Sequence, residues 1–211
     1  MKKMSLLLAG ALMLLPVVFG SGAANLFAQT ALSGAKKDAK ILVAYFSRAD
    51  ENYGVGVIEK GNTQILAEFI AQELKADTFH IQTVTPYPKN YKECTNIALD
   101  EQKKKARPKL AGSIPNLKDY DIIFLGYPIW WGDLPMAVYT FLESSDFAGK
   151  IIIPFCTHEG SGESGTAKRI QSACPKATVL KALSMRGQTA QNSRDAAKRD
   201  TLKWLGEIKV K

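Results

Sequence analysis

Two adjacent indoles, Trp130 and Trp131, stand in a stretch punctuated by Gly126, Pro128 and Gly132. An indole is a large flat surface, costly to leave in water at a loop tip unless something flat covers it. Both tryptophans could instead pack into the core. Adjacent side chains in an extended loop point different ways, so at most one is expected to do so. A second loop, Thr157-His158-Glu159-Gly160-Ser161-Gly162, offers backbone donors, an imidazole and glycines that allow a ligand close to the main chain. A third polar group is split: Ser47 and Arg48 come first, then the glycine-bearing insertion Asp50 to Lys60, then Gly61-Asn62-Thr63. Hydroxyl and amide side chains after a strand and at a helix start are the usual parts of an anion site. Asn62 and Thr63 would serve equally well as ordinary helix caps.

These residues are placed by an alternation of strands and helices. Ile41 to Phe46, Asp77 to Val84, Ile122 to Leu125, Ile151 to Cys156 and Ala177 to Met185 read as five strands, the third and fourth as fully buried apolar runs. Between and after them, Ile65 to Leu74, Tyr91 to Lys105, Met136 to Glu143 and Arg194 to Ile208 read as helices, with a short one after the loop at 157–165. Pro135 opens the third of the four, as a proline at the first turn does. Pro154 is unfavourable in a central ladder, and a local irregularity is expected there. Strands alternating with helices demand an α/β fold, a parallel sheet covered on both faces. The three loops follow strands one, three and four, all on one sheet edge. The doubly wound order 2-1-3-4-5 sets them side by side at the switch point where such sheets bind ligands.

The first residues read differently. Lys2 and Lys3, an apolar run from Leu6 to Phe19 and small residues to Ala24 have the order of a secretory signal peptide. Residues 1–28 are therefore expected to be a signal, 29–39 a polar tether and 40–211 the folded domain, in a protein exported to the periplasm or beyond. No integral span is expected after signal removal. The formal charge of +8 falls to +6 without Lys2 and Lys3. Its one cluster, Lys103 to Lys105 with Arg107, lacks the interleaved aromatics or motif that nucleic-acid binding needs. Cys94, Cys156 and Cys174 have no metal-ligand spacing and establish no disulfide framework. Cys156 and His158 mimic a thiol nucleophile and base, but no third orienting group is present and an apolar strand raises a thiol's pKa. The glycine-rich loop fails the Gly-x-Ser-x-Gly pattern at Gly162.

Taken together, Ile-Leu-Val-Ala-Tyr-Phe-Ser-Arg, Gly-Asn-Thr, Gly-Tyr-Pro-Ile-Trp-Trp-Gly and Pro-Phe-Cys-Thr-His-Glu-Gly-Ser-Gly resemble the flavodoxin family, from Lys40 to the C-terminus. The resemblance implies a three-layer flavodoxin-like sandwich that binds FMN without a covalent bond and transfers electrons through it. It places Ser47, Arg48, Asn62 and Thr63 at the phosphate. Pro128, Ile129, Trp130, Trp131 and Gly132 form one loop around the isoalloxazine, and Thr157, His158, Glu159, Gly160 and Gly162 the other. Two departures stand out. The insertion splits the phosphate motif, and its Tyr53 either reaches over the ring or belongs to a plain surface excursion. The chain is basic where classical carrier flavodoxins are acidic, which favours small acceptors such as quinones, or an acidic redox partner. His158 is either a cation at the pyrimidine end or a loop hydrogen-bonder. The rival reading is a non-enzymatic binding module of the same fold that carries no flavin.

Overall fold

A computed structural model describes residues 39–208. The expected signal peptide and all but the last residue of the expected tether lie outside the described residues. Five parallel strands carry the architecture: β1 (Ile41–Tyr45), β4 (Asp77–His80), β5 (Ile122–Pro128), β6 (Ile151–His158) and an outer strand in two pieces, β7 (Thr178–Val179) and β8 (Leu183–Arg186). Their order is β4-β1-β5-β6, with β7 and β8 both against β6. In chain order this is the expected 2-1-3-4-5.

Alternation decides which side chain faces which layer. Leu42, Ala44, Ile123, Leu125, Tyr127, Ile152 and Cys156 pack under α3 (Met136–Glu143) and α4 (Thr166–Ala173). Val43, Tyr45, Ile122, Phe124, Ile153 and Phe155 pack under α1 (Asn62–Leu74) and α6 (Arg194–Ile208). The helix α2 (Tyr91–Lys104) packs beside α3, and the short α5 (Gly187–Asn192) joins β8 to α6.

Four expectations are corrected. The second strand stops at His80, not Val84. After Ile81 N–H donates to Tyr45 O, the chain leaves the sheet and Thr83 bridges antiparallel to Leu110. The third strand runs on through Gly126 and Tyr127 to Pro128. Gly126 is therefore no turn residue: a Cβ there would sit 2.2 Å from the Phe155 ring, which is the close approach that glycine permits. Pro154 leaves β6 unbroken, and the irregularity falls on its neighbour. Ile152 O accepts from Leu180 N, so the even-numbered residues of β6 face the outer strand, and Pro154 has no N–H to offer there. The outer strand breaks at that point. Ile152 pairs with Val179 and Phe155 with Leu183, so three steps on β6 face four on its partner. Finally, the insertion is no plain excursion. It folds into an antiparallel hairpin, β2 (Asp50–Asn52) with β3 (Gly56–Ile58).

Candidate functional site

One cleft opens at the carboxyl ends of β1, β5 and β6. Arg48, Asn62, Pro128, Ile129, Trp130, Trp131, Thr157, His158 and Glu159 line it. Nine of the fourteen residues singled out in the sequence thus share one surface. The other five support it from behind. Ser47 Oγ accepts from Gln64 N–H at 3.1 Å and caps α1, whose own N-cap, Gly61, has no side chain. Gly61 is required: its Cβ would lie 2.2 Å from Ser47 Oγ. Thr63 is buried and shares a 2.7 Å hydrogen bond with the Thr157 hydroxyl, tying the start of α1 to the end of β6. Gly132, Gly160 and Gly162 hold positive φ in the two loops.

The indole loop is a tight turn. Trp130 and Asp133 exchange both backbone hydrogen bonds, at 2.9 and 3.0 Å, and the two residues between them have φ of 51° and 72°. Positive φ at both central residues defines the type I′ turn. It sends the two rings apart. Trp130 packs edge-on against Phe46 and Tyr87, with centroids at 5.2 and 5.0 Å. Trp131 stands at the cleft rim, 54% exposed. Asp133, 7% exposed, anchors the turn: one carboxylate oxygen accepts from Leu134 N–H and Tyr139 O–H, the other from Arg169.

Arg48 is not free to hold an anion. Its guanidinium donates to the carbonyls of Glu51, Pro88 and Lys89, so at least four of its five N–H groups are spent on the main chain. That staple fixes the hairpin. Glu51 in turn accepts from Tyr91 N–H and Asn90 at the start of α2, and Gly54 O accepts from Gln188 on α5. The hairpin is therefore tied to both sides of the cleft, with Tyr53 lining it.

His158 Nδ1 accepts from Gly160 N–H at 3.0 Å. A backbone N–H can only donate, so Nδ1 carries no proton and the neutral ring keeps its proton on Nε2. Burial first, and the Arg186 charge second, hold its pKa below the usual histidine range. The geometry favours the hydrogen-bonding role over the cationic one. Burial pushes the Glu159 carboxyl up, while Gln188 N–H and Arg186 pull it down. Cys156 is buried in the sheet and its thiol is pushed up to about 11 by desolvation, which disposes of the thiol–imidazole nucleophile. All three cysteines are free.

Sequence reasoning missed one wall. Tyr91, Cys94, Thr95 and Ala98 line the cleft from α2. Their spacing of three, one and three is a single helix face, and that stripe was the available signal. It also missed Gly187, where a Cβ would meet Asn62 Nδ2 at 2.2 Å and Glu159 Oε1 at 2.5 Å. Nothing local in the sequence marks that convergence.

A doubly wound sheet with a helix N-terminus, an aromatic loop and a glycine-rich loop at its switch point defines a flavodoxin-like protein. The chain matches the family model described as Flavodoxin over residues 40–201, and it belongs to the flavodoxin family. Among solved structures, a flavoprotein of Bacteroides eggerthii DSM 20697 aligns with a TM-score of 0.63 at 28% identity, covering 82% of this chain and 100% of that one. A flavoprotein of Bacteroides uniformis ATCC 8492 aligns with a TM-score of 0.59 at 30% identity, covering 76% and 96%. A flavoprotein of Lactobacillus acidophilus NCFM, solved in complex with FMN, shares the fold with a TM-score of 0.56 at 19% identity, covering 74% and 97%. Comparison with curated proteins returns no match.

Proposed function

We propose that this protein binds FMN in the cleft without a covalent bond and passes electrons through it, to a redox protein or to a small quinone-like acceptor. The observation that carries the reading is the meeting of two unlike surfaces in one cleft. One is a helix N-terminus and the other is an open set of aromatic rings. Asn62 and Thr63 are the first residues of α1, where backbone N–H groups have no intrahelical acceptor and the dipole favours a phosphate. At the other end Trp131, Tyr53 and Tyr91 are 54%, 65% and 37% exposed around the same opening. Exposed rings gathered at one cleft are suited to covering a flat ring. Asn62 Oδ1 is buried and has no hydrogen-bond partner among the described residues. An orphaned acceptor costs about 1–3 kcal/mol, and a ligand hydroxyl would offset it. The residues present therefore fit the group, and the FMN-bound Lactobacillus flavoprotein supports its identity.

Bound flavin would supply one- and two-electron transfer; the chain supplies binding, orientation and electrostatics. The Trp130–Asp133 turn fixes where the rim indole stands. His158 offers a proton at Nε2 and no formal charge, so the imidazole side of the cleft supplies a hydrogen bond and stabilises an anion less than an imidazolium would. Glu159 accepts from Gln188 N–H, which ties the second loop to the start of α5. The hairpin, tied to α2 and α5, fixes Tyr53 at the cleft.

The expected export by the N-terminal signal belongs to the same proposal, and FMN would then be acquired outside the cytoplasm. Titration with FMN and with riboflavin, followed by flavin fluorescence, tests the binding mode. Saturable quenching by both, with FMN the tighter, is expected. Equal affinity for the two would remove the phosphate site at α1.

A further inference from the structure

A second concave surface lies behind the cofactor cleft. Its walls are the segment Thr83 to Tyr87, the segment Ala106 to Lys109, and the face of α2 that carries Ile97 and Glu101. Val84 N–H donates to Lys109 O at 2.9 Å and holds the two segments together. The floor is apolar and open to water, with Val84 56% and Ile97 42% exposed. Its acid, Glu101, turns inward and accepts from the Tyr87 hydroxyl at 2.7 Å.

The rim is basic. Lys103, Lys105 and Lys109 are exposed, and none is paired with a carboxylate among the described residues. Their neighbours differ: Lys104 is paired with Asp100, and Arg107 holds Glu143 through two hydrogen bonds of 2.7 Å. Of the three, Lys109 lines the groove, while Lys103 and Lys105 stand at the adjoining C-terminal end of α2. The groove also adjoins the site. Tyr87 forms its back wall and meets Trp130 edge to face at 5.0 Å, and Trp130 lines the cofactor cleft. Gln102 donates to Trp131 O, so the basic end of α2 stands directly beside the rim indole.

We propose that this groove, with Lys109 on its wall and Lys103 and Lys105 at the adjoining end of α2, is the docking surface for an acidic redox protein, which seats an apolar side chain on Val84 and Ile97. Apolar centre and charged rim are the anatomy of a transient interface. Complementary rim charge raises the association rate and sets its salt dependence. The concave floor suits a protruding side chain better than a flat membrane surface. The partner's redox character rests on the flavin reading, whereas its charge rests on the lysines alone.

The test is calorimetric binding of a plant-type ferredoxin, as an acidic probe, to the purified protein in low and in high salt. Cytochrome c serves as a basic probe and anionic lipid vesicles as a third. Ferredoxin is expected to bind in low salt and weaken in high salt. The combined variant Lys103→Glu, Lys105→Glu, Lys109→Glu should lose affinity by about tenfold or more. Val84→Ser with Ile97→Ser should weaken binding without changing its salt dependence. FMN affinity should be the same in all variants. Equal ferredoxin affinity in the wild type and the lysine variant would overturn the proposal. So would tighter binding of cytochrome c, or lysine-dependent binding of vesicles but not ferredoxin. Ferredoxin binding in a protein that never loads FMN would count against the flavin reading and leave the surface standing.

Discussion

The indole Nε1 of Trp131 donates to the carbonyl of Thr95 at 2.9 Å, joining the aromatic loop to α2 across the mouth of the cleft. The bond accounts for an unusual backbone. Trp131 has φ 51°, a region that costs a residue with a Cβ about 1–2 kcal/mol. The indole bond and the Gln102 donor to its carbonyl hold it there. The two tryptophans therefore have separable roles. Trp131→Ala should cost about 1–2 kcal/mol of FMN affinity, roughly tenfold, with little change in melting temperature. Trp130→Ala should cost about 3 kcal/mol of stability, because Phe46 and Tyr87 lose their packing partner. Titration and denaturant unfolding of both variants separate the two; loss of stability in the first variant alone would contradict the assignment.

Asp133 is the buried anchor of the same turn. Asp133→Ala leaves Leu134 N–H, the Tyr139 hydroxyl and Arg169 without their acceptor. A loss of about 2–3 kcal/mol is expected, together with weaker FMN binding, since the loop that carries Trp131 is no longer held. Urea unfolding reads the first effect and flavin fluorescence the second.

Gly187 tests the convergence of α5 on the site. Gly187→Ala puts a methyl group 2.2 Å from Asn62 Nδ2 and 2.5 Å from Glu159 Oε1, so both side chains must move. Overpacking of this kind costs about 1–3 kcal/mol. Because Asn62 starts α1, FMN affinity should fall more than riboflavin affinity, as paired titrations would show.

Acidification should loosen the protein through its histidines. Burial holds both below the usual range: His80, stacked on Tyr45 and bonded to Ser47 O, and His158. Below about pH 6.5 the unfolded chain takes up protons that the folded one resists. Stability therefore falls as pH drops from there toward the lowered folded values. Glu101 and Glu159, both raised by burial, act with the opposite sign at lower pH. Melting curves from pH 7 to about 5 should show a smaller decline for the variant with His80→Gln and His158→Gln than for the wild type.

The sheet was legible because its strands are apolar runs bounded by turn residues, and α3 and α6 begin and end as their periodicity dictates. The glycine and proline signals were read too simply. Gly126 looks like a turn residue, yet it is a strand position beneath a phenylalanine ring. Pro154 perturbs the neighbouring strand in place of its own, an effect that needs the pairing partner to be seen. In the site, residues contiguous in sequence were legible and those brought together by tertiary packing were not. Arg48 sits in the phosphate motif, but the hairpin behind it engages its guanidinium. The α2 wall arises from a stripe on a helix whose exposed face is so charged that the stripe was easily overlooked.

The central claim is that this cleft holds FMN, and its most direct measurement is the visible absorption spectrum of the protein expressed from Lys36 and supplied with FMN. A flavin band that survives gel filtration and bleaches with dithionite is the predicted result. A colourless protein at saturating FMN would contradict the claim, leaving a flavodoxin fold that serves as a binding module without flavin.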